Sequence, residues 1–287
     1  MRFALNEQEK ESRFVDTEAM KTAPIGVFDS GVGGLTVARE IMRQLPDENL
    51  VYFGDTARVP YGSKSKANII HFSRQIIRFL QTKQVKAIVI ACNTASALAL
   101  DVVQEEFDLP IMGVVIPGAR AAVRESKNNK IGVVGTEGTI NSKLYSRLIK
   151  GLEPGASVIG KPCPLFVPLV EEGFAKHHIT DEVIDIYLKD MKQSDIDTMI
   201  LGCTHYPLLR SKVKAYFGEK VHIVNPAYET AMDLKTLLKE RGMENDSENL
   251  NKYKFYVSDA AEKFKQFANS ILPYNVETIQ QINIEEY

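Results

Sequence analysis

Short, uniformly apolar runs punctuate the chain. Each is followed by a turn rich in glycine or hydroxyl groups, then by residues at helical spacing. Ile25-Gly26-Val27-Phe28 runs into Asp29-Ser30-Gly31-Val32-Gly33-Gly34. Leu35, Ala38 and Ile41-Met42 then share one side of a helix over about 35–44. The unit recurs as a strand at 50–54 with a helix over 66–83, and as a strand at 87–91 with a helix over 94–106. A fourth strand is expected over 110–115, ending near Pro117-Gly118. Strands apolar on both faces, separated by helices, predict parallel sheets covered on both sides and joined by right-handed crossovers.

The pattern then starts again. Lys130 to Thr139 echoes residues 25–35, and 198–203 echoes 87–92, at spacings of 106 and 111 residues. Between them the spacing predicts a helix over 141–150, a brief strand at 157–160, an apolar loop at 163–168 and a helix over 180–192. A helix over 208–217 and a strand at 221–224 follow. Such offsets predict two similar α/β units rather than one extended sheet. Beyond Pro226 come a helix over 229–239, a polar loop at 241–252, an edge strand at 255–257, a helix over 260–272 and a tail without a partner.

Composition narrows the class. The chain has 287 residues, 44% apolar and 25% charged, with a formal net charge of -2. No basic field points to nucleic acid. No run reaches the roughly 18 apolar residues needed to span a bilayer. Three cysteines cannot all pair within the chain and lack the spacing of a disulfide scaffold, so reduced thiols in a cytoplasmic protein are expected. Residues 1–21, dense in acidic and basic groups, read as a terminal extension rather than a secretory signal.

Two of the cysteines stand in matching places. Cys92 ends an apolar strand and precedes Asn93 and Thr94; Cys203 ends another and precedes Thr204 and His205. Ligands gather at the carboxyl edge of such sheets, and a helix N-terminus favours a thiolate. Taken alone, Cys92 reads as a packing thiol; its echo shifts the reading to chemistry. Three options stay open from the residues. The thiols form a redox pair, although no Cys-X-X-Cys is present. They bind zinc with His205 and Asp29. Or they exchange a proton with a substrate carbon from opposite faces. Ser30 to Gly34, Tyr61, Thr136 and Thr139 offer hydroxyls and N–H groups for a small anion. Cys163, between Pro162 and Pro164, is left to packing.

Four motifs carry a resemblance: Phe28 to Leu35 (FDSGVGGL), Pro60-Tyr61-Gly62, Ala91 to Ser96 (ACNTAS) and Leu201 to Pro207 (LGCTHYP). In this order the chain resembles bacterial glutamate racemase, within the aspartate/glutamate racemase superfamily, over about residues 24–240. The resemblance implies cofactor-independent interconversion of L- and D-glutamate, supplying D-glutamate for peptidoglycan. Cys92 and Cys203 would be the two acid/bases, with Cys92 taking the α-proton of D-glutamate. Asp29 would assist Cys92, and His205 and Glu171 would assist Cys203. Ser30, Pro60, Tyr61, Gly62, Asn93, Thr94, Thr136 and Thr204 match pocket positions, with Asp29 and His205 also facing substrate. The implied fold is two similar three-layer α/β domains with mainly parallel sheets and the active site in the cleft between them. The first comprises 22–116 and 226–270, the second 117–225, with 1–21 an extension and 271–287 a tail. The resemblance implies no cofactor and no metal. Family members are often dimers, and some with such extensions are activated by UDP-N-acetylmuramoyl-L-alanine. The alternatives are an aspartate or other amino-acid racemase of the superfamily and a non-catalytic carboxylate-binding protein.

Overall fold

The computed structural model describes residues 19–247 and 252–287. Most of the terminal extension and positions 248–251 of the polar loop lie outside the described residues. Among the described residues ten strands form two sheets, and every pairing is parallel. The first contains β1 (Ile25–Asp29), β2 (Leu50–Gly54), β3 (Ala87–Ile90), β4 (Ile111–Gly113), β9 (Tyr253–Val257) and β10 (Ile279–Gln281). The second contains β5 (Lys130–Gly135), β6 (Ser157–Pro162), β7 (Thr198–Gly202) and β8 (His222–Val224).

The strand orders are β10-β9-β2-β1-β3-β4 and β6-β5-β7-β8. Four strands of the first sheet thus repeat the order of the second, as the sequence echoes lead one to expect. In each unit the chain leaves the first strand toward one edge, then crosses back to build toward the other. The crevice at that reversal lies between β1 and β3 in one sheet and between β5 and β7 in the other, the place where such folds bind ligands. β1, β2, β3 and β7 are buried along their whole length, which is why their sequences do not alternate.

Several elements differ from the sequence reading, each for a local reason. The fourth strand stops at Gly113, and Val115–Glu125 is a helix. Pro117 sits in its first turn, where no backbone donor is required. Gly118 lets the helix approach Pro226 and the Tyr145 hydroxyl, which an added Cβ would meet at 3.2 and 3.3 Å. The expected helix over 94–106 breaks at Ala99 into Asn93–Leu98 and Leu100–Glu106. The loop at 163–168 instead opens a helix, Phe166–Glu171. β9 is not an edge strand, because the segment read as a tail adds β10 outside it and ends in a 3-10 turn, Ile284–Glu286.

At the opposite end of the first sheet, Lys86 and Glu48 form a buried ion pair at 2.5 Å. The Lys86 ammonium also donates to the carbonyls of Lys21 (2.6 Å) and Met243 (2.8 Å), and Glu48 accepts from the Asn245 N–H at 3.0 Å. Burial pushes the Glu48 carboxyl up and the Lys86 ammonium down from their ordinary values, so each depends on the other to remain charged. Lys86→Met leaves a buried carboxylate without its cation. It should cost about 3–5 kcal/mol, read as a lower urea midpoint, and the loss should shrink in the Glu48→Gln/Lys86→Met double variant.

Candidate active site

The carboxyl edges of the two sheets face one cavity of about 440 Å³. From the first sheet come Ser30 after β1, the loop Val59 to Ser63 after β2, and Cys92, Asn93 and Thr94 after β3. From the second come Thr136 and Glu137 after β5, Pro164 and Glu171 after β6, and Cys203, Thr204 and His205 after β7. Both cysteines line the cavity and are almost fully buried, at 5% and 6% exposure.

Cys92 occupies the position just before the helix Asn93–Leu98. Its thiol donates to the Ser30 hydroxyl at 3.8 Å. Burial, followed by the negative charge of Asp29, pushes this thiol up to about 12, against the opposing pull of the Ala95 N–H and Ser30. Asp29 does not line the cavity. It lies wholly buried beneath it, accepting from the N–H groups of Gly31 (3.1 Å) and Gly34 (2.9 Å) and from the Thr204 hydroxyl at 3.5 Å. Burial raises its pKa, opposed first by His205.

Cys203 has different company. Its sulfur lies 3.9 Å from His205 Nδ1, and His205 Nε2 donates to Glu171 Oε1 at 2.8 Å. Burial alone would lower the histidine pKa, but the contacts with Cys203 and Glu171 outweigh it and raise it to about 10. The same bond holds the Glu171 carboxyl below its usual range. The thiol, imidazole and carboxylate form a chain along the cavity wall.

Glycines let the two units close on one another. A Cβ on Gly33 would lie 2.4 Å from both His205 Nδ1 and Thr204 Oγ1, and one on Gly62 would lie 2.8 Å from Thr136 Cβ. The Thr36 hydroxyl is within bonding distance of the carbonyls of Gly33 (2.9 Å) and Thr204 (3.0 Å), joining the units from behind. On the other side Thr94 and Thr136 share a hydrogen bond at 2.9 Å, and Thr136 donates to Thr139 at 3.0 Å. Thr139 therefore supports the wall without lining it. The Tyr145 hydroxyl fixes Asn93 by donating to its side-chain oxygen at 2.7 Å.

Pro60, Tyr61 and Gly62 belong to a loop whose Val59–Pro60 peptide bond is cis. The Tyr61 hydroxyl donates to Asp55, which also pairs with Arg58 at 2.7 Å and accepts from Ser258 at 2.9 Å. Arg58 in turn reaches Glu285 at 3.1 Å and lies over the Phe72 ring. The chain's last residues thus support the pocket loop. Val59, Ser63, Glu137, Pro164, Val167 and Pro168 also line the cavity; Val59 and Ser63 flank Pro60-Tyr61-Gly62 and Glu137 follows Thr136, whereas Pro164, Val167 and Pro168 had no chemical signal. Cys163 is buried, with its thiol toward the Lys161 carbonyl at 3.6 Å. Among the described residues no three His, Cys, Asp or Glu side chains converge as a metal site would require.

The His205–Glu171 pair generates a prediction. Glu171→Gln removes an anionic partner and should lower the His205 pKa from about 10, which ring NMR titration would read. His205 is raised above its unfolded value of about 6.5. Its contribution to stability is therefore complete below that pH and is lost as pH rises toward the folded value. Glu171 is lowered, so its contribution is present above about 4.3 and is lost as acid protonates it. The stability gap between wild type and variant should be widest between those two pH values and close on either side. A gap independent of pH would refute the assignment.

The Asp/Glu/Hydantoin racemase family model matches residues 25–233. A glutamate racemase from Geobacter metallireducens is 41% identical over 261 residues, 91% of this chain and 97% of its own length. The crystal structure of the Francisella tularensis glutamate racemase in complex with D-glutamate superposes with a TM-score of 0.87 at 38% identity, covering 93% of this chain and 100% of that one. The Escherichia coli glutamate racemase, in complex with L-glutamate and the activator UDP-MurNAc-ala, has a TM-score of 0.75 at 29% identity and covers 90% and 98%. With two buried thiols at matching strand ends of a doubled α/β fold, the chain belongs to the Asp/Glu racemase family, in its glutamate racemase branch.

Proposed function

We propose that the protein interconverts L- and D-glutamate by proton transfer at the α-carbon, with Cys92 and Cys203 as the two acid/bases. The observation that carries this reading is the opening of both sulfurs into one cavity from opposite sheets. Proton exchange with inversion needs a base on one face of a carbon and an acid on the other. D-glutamate for peptidoglycan is the product that gives this activity its role in the cell wall.

The surroundings of each thiol support the division of labour. Asp29 lies close enough to raise the Cys92 pKa, so a substrate ammonium brought to this side would offset its charge and favour the thiolate. That thiolate takes the α-proton of D-glutamate, and the Cys203 thiol delivers one to the opposite face. His205, held by Glu171, compensates the charge left on Cys203. Roles reverse for L-glutamate. Hydroxyls and N–H groups of Ser30, Asn93, Thr94, Thr136 and Thr204, together with the Pro60-Tyr61-Gly62 loop, hold the carboxylates and exclude water. Burial strengthens each of these contacts.

The reading extends to organisation. Units of 22–116 with 226–270, to which β10 adds the segment read as a tail, and of 117–225, are supported by the helix Val115–Glu125, whose apolar face joins the core around Ile131 and Ile200. The helix Pro226–Glu240 returns to the core of the first sheet. A homodimer belongs to the same reading. The Escherichia coli relative, in complex with the activator UDP-MurNAc-ala, supports activation by UDP-N-acetylmuramoyl-L-alanine.

Purified protein without added cofactor should exchange the α-hydrogen of both glutamate enantiomers in deuterated water, and should turn over aspartate far more slowly. Cys92→Ser and Cys203→Ser should each lower kcat by about 10²-fold or more. Full racemisation by both variants would sink the two-base assignment. Glutamate binding without exchange would favour a non-catalytic role. Gly33→Ala should lower kcat more than stability, because the added methyl displaces His205 and Thr204 rather than core side chains; an unchanged kcat would count against their placement.

A further inference from the structure

Tyr145 lies against the immediate neighbour of each thiol. It stands in the first turn of the helix Leu144–Leu152 and is 3% exposed, in the core that joins β5 and β7. A Cβ on Gly202, the residue before Cys203, would meet its ring at 3.2 Å, so the ring packs where that strand carries no side chain. Its hydroxyl donates to Oδ1 of Asn93, the residue after Cys92, at 2.7 Å. One aromatic side chain from the core of the second sheet thus reaches the residue that follows β3 of the first. Tyr145 does not itself line the cavity, whereas Asn93 does.

That contact bears on how the Asn93 amide is turned. An amide accepts at one end and donates at the other. Burial, followed by the charge of Cys203, holds the Tyr145 hydroxyl above the ordinary tyrosine range, so it remains a donor and takes the amide oxygen. Asn93 Nδ2 bonds to no protein group among the described residues and is not fully buried. The ring cannot shift easily, since a Cβ on Gly118 would lie only 3.3 Å from its hydroxyl and Gly202 lies beneath it. Given the racemase reading, we infer that Tyr145 is a positioning residue: it turns Asn93 so that the amide N–H groups, rather than the oxygen, meet a carboxylate of the substrate. An amide turned the other way would set a lone pair against that carboxylate and repel it.

Steady-state racemisation of each enantiomer and calorimetric titration with racemic glutamate, on the full chain, test this in a double-mutant cycle. Tyr145→Phe keeps the ring and frees the amide. It should raise KM and Kd about three- to tenfold, as for loss of one hydrogen bond. Its kcat should stay within about twofold, since the carboxylate is held alike before and during proton transfer. Asn93→Ala should also weaken binding, and adding Tyr145→Phe to it should change nothing further, because the hydroxyl acts through the amide. Asn93→Asp keeps an acceptor for Tyr145 but loses the donor, so it should bind glutamate more weakly than Asn93→Ala. That variant decides the matter should Tyr145→Phe fold poorly. Four results overturn the inference: an unchanged KM in Tyr145→Phe, a lower kcat at unchanged KM, full additivity in the cycle, or wild-type affinity in Asn93→Asp. A wild type that neither binds nor exchanges glutamate overturns the racemase reading as well.

Discussion

The close approach of two backbones is the constraint on which the rest of the site depends. Gly33 sits where any side chain would collide with His205 and Thr204, and Gly62 sits where one would collide with Thr136. These contacts bring the carboxyl edges of two separate sheets near enough to share one cavity. Without them each thiol would end its own strand beside solvent. The Thr36 hydroxyl between the Gly33 and Thr204 carbonyls and the Thr94–Thr136 bond hold the same approach from both sides. Cavity geometry therefore rests in part on absent side chains and short hydroxyls.

That dependence explains what was legible in the sequence. Strand positions were readable because buried parallel strands are continuous apolar runs, and the repeat was readable because both units use one strand order. Cys92 and Cys203 stood out by position alone. The helix Val115–Glu125 was not readable, since Pro117-Gly118 is equally a turn signal; only contact with Pro226 and Tyr145 decides for helix. The hydrophobic wall at Pro164, Val167 and Pro168 carries no chemical signal. Asp29 was expected to face substrate, yet it lies beneath the cavity, bonded to Gly31, Gly34 and Thr204, a placement that no linear motif encodes.

The C-terminal segment makes the same point over a longer range. Its polar, apparently unpartnered sequence gave little reason to expect a strand. β10 nonetheless extends the first sheet, and Glu285 meets Arg58. Arg58 and Ser258 hold Asp55, and Asp55 holds the Tyr61 hydroxyl. Tyr61 is wholly buried and lines the cavity. Its position therefore depends on residues more than 190 places away in the sequence, because a parallel sheet brings distant strands side by side.

The doubled fold suggests two equivalent thiols, but electrostatics make them different. Cys92 faces a buried carboxylate and a hydroxyl, and its thiol is pushed up. Cys203 faces an imidazole backed by a carboxylate, and that imidazole is held protonated well above its ordinary range. One side thus carries negative charge near its thiol and the other carries positive. Under the proposed racemisation, a zwitterionic substrate would meet this field with its ammonium toward Asp29 and its α-carboxylate away from it. In that proposal, near-symmetry of the backbone supplies two faces for the α-carbon, and asymmetry of charge would decide how the substrate lies between them.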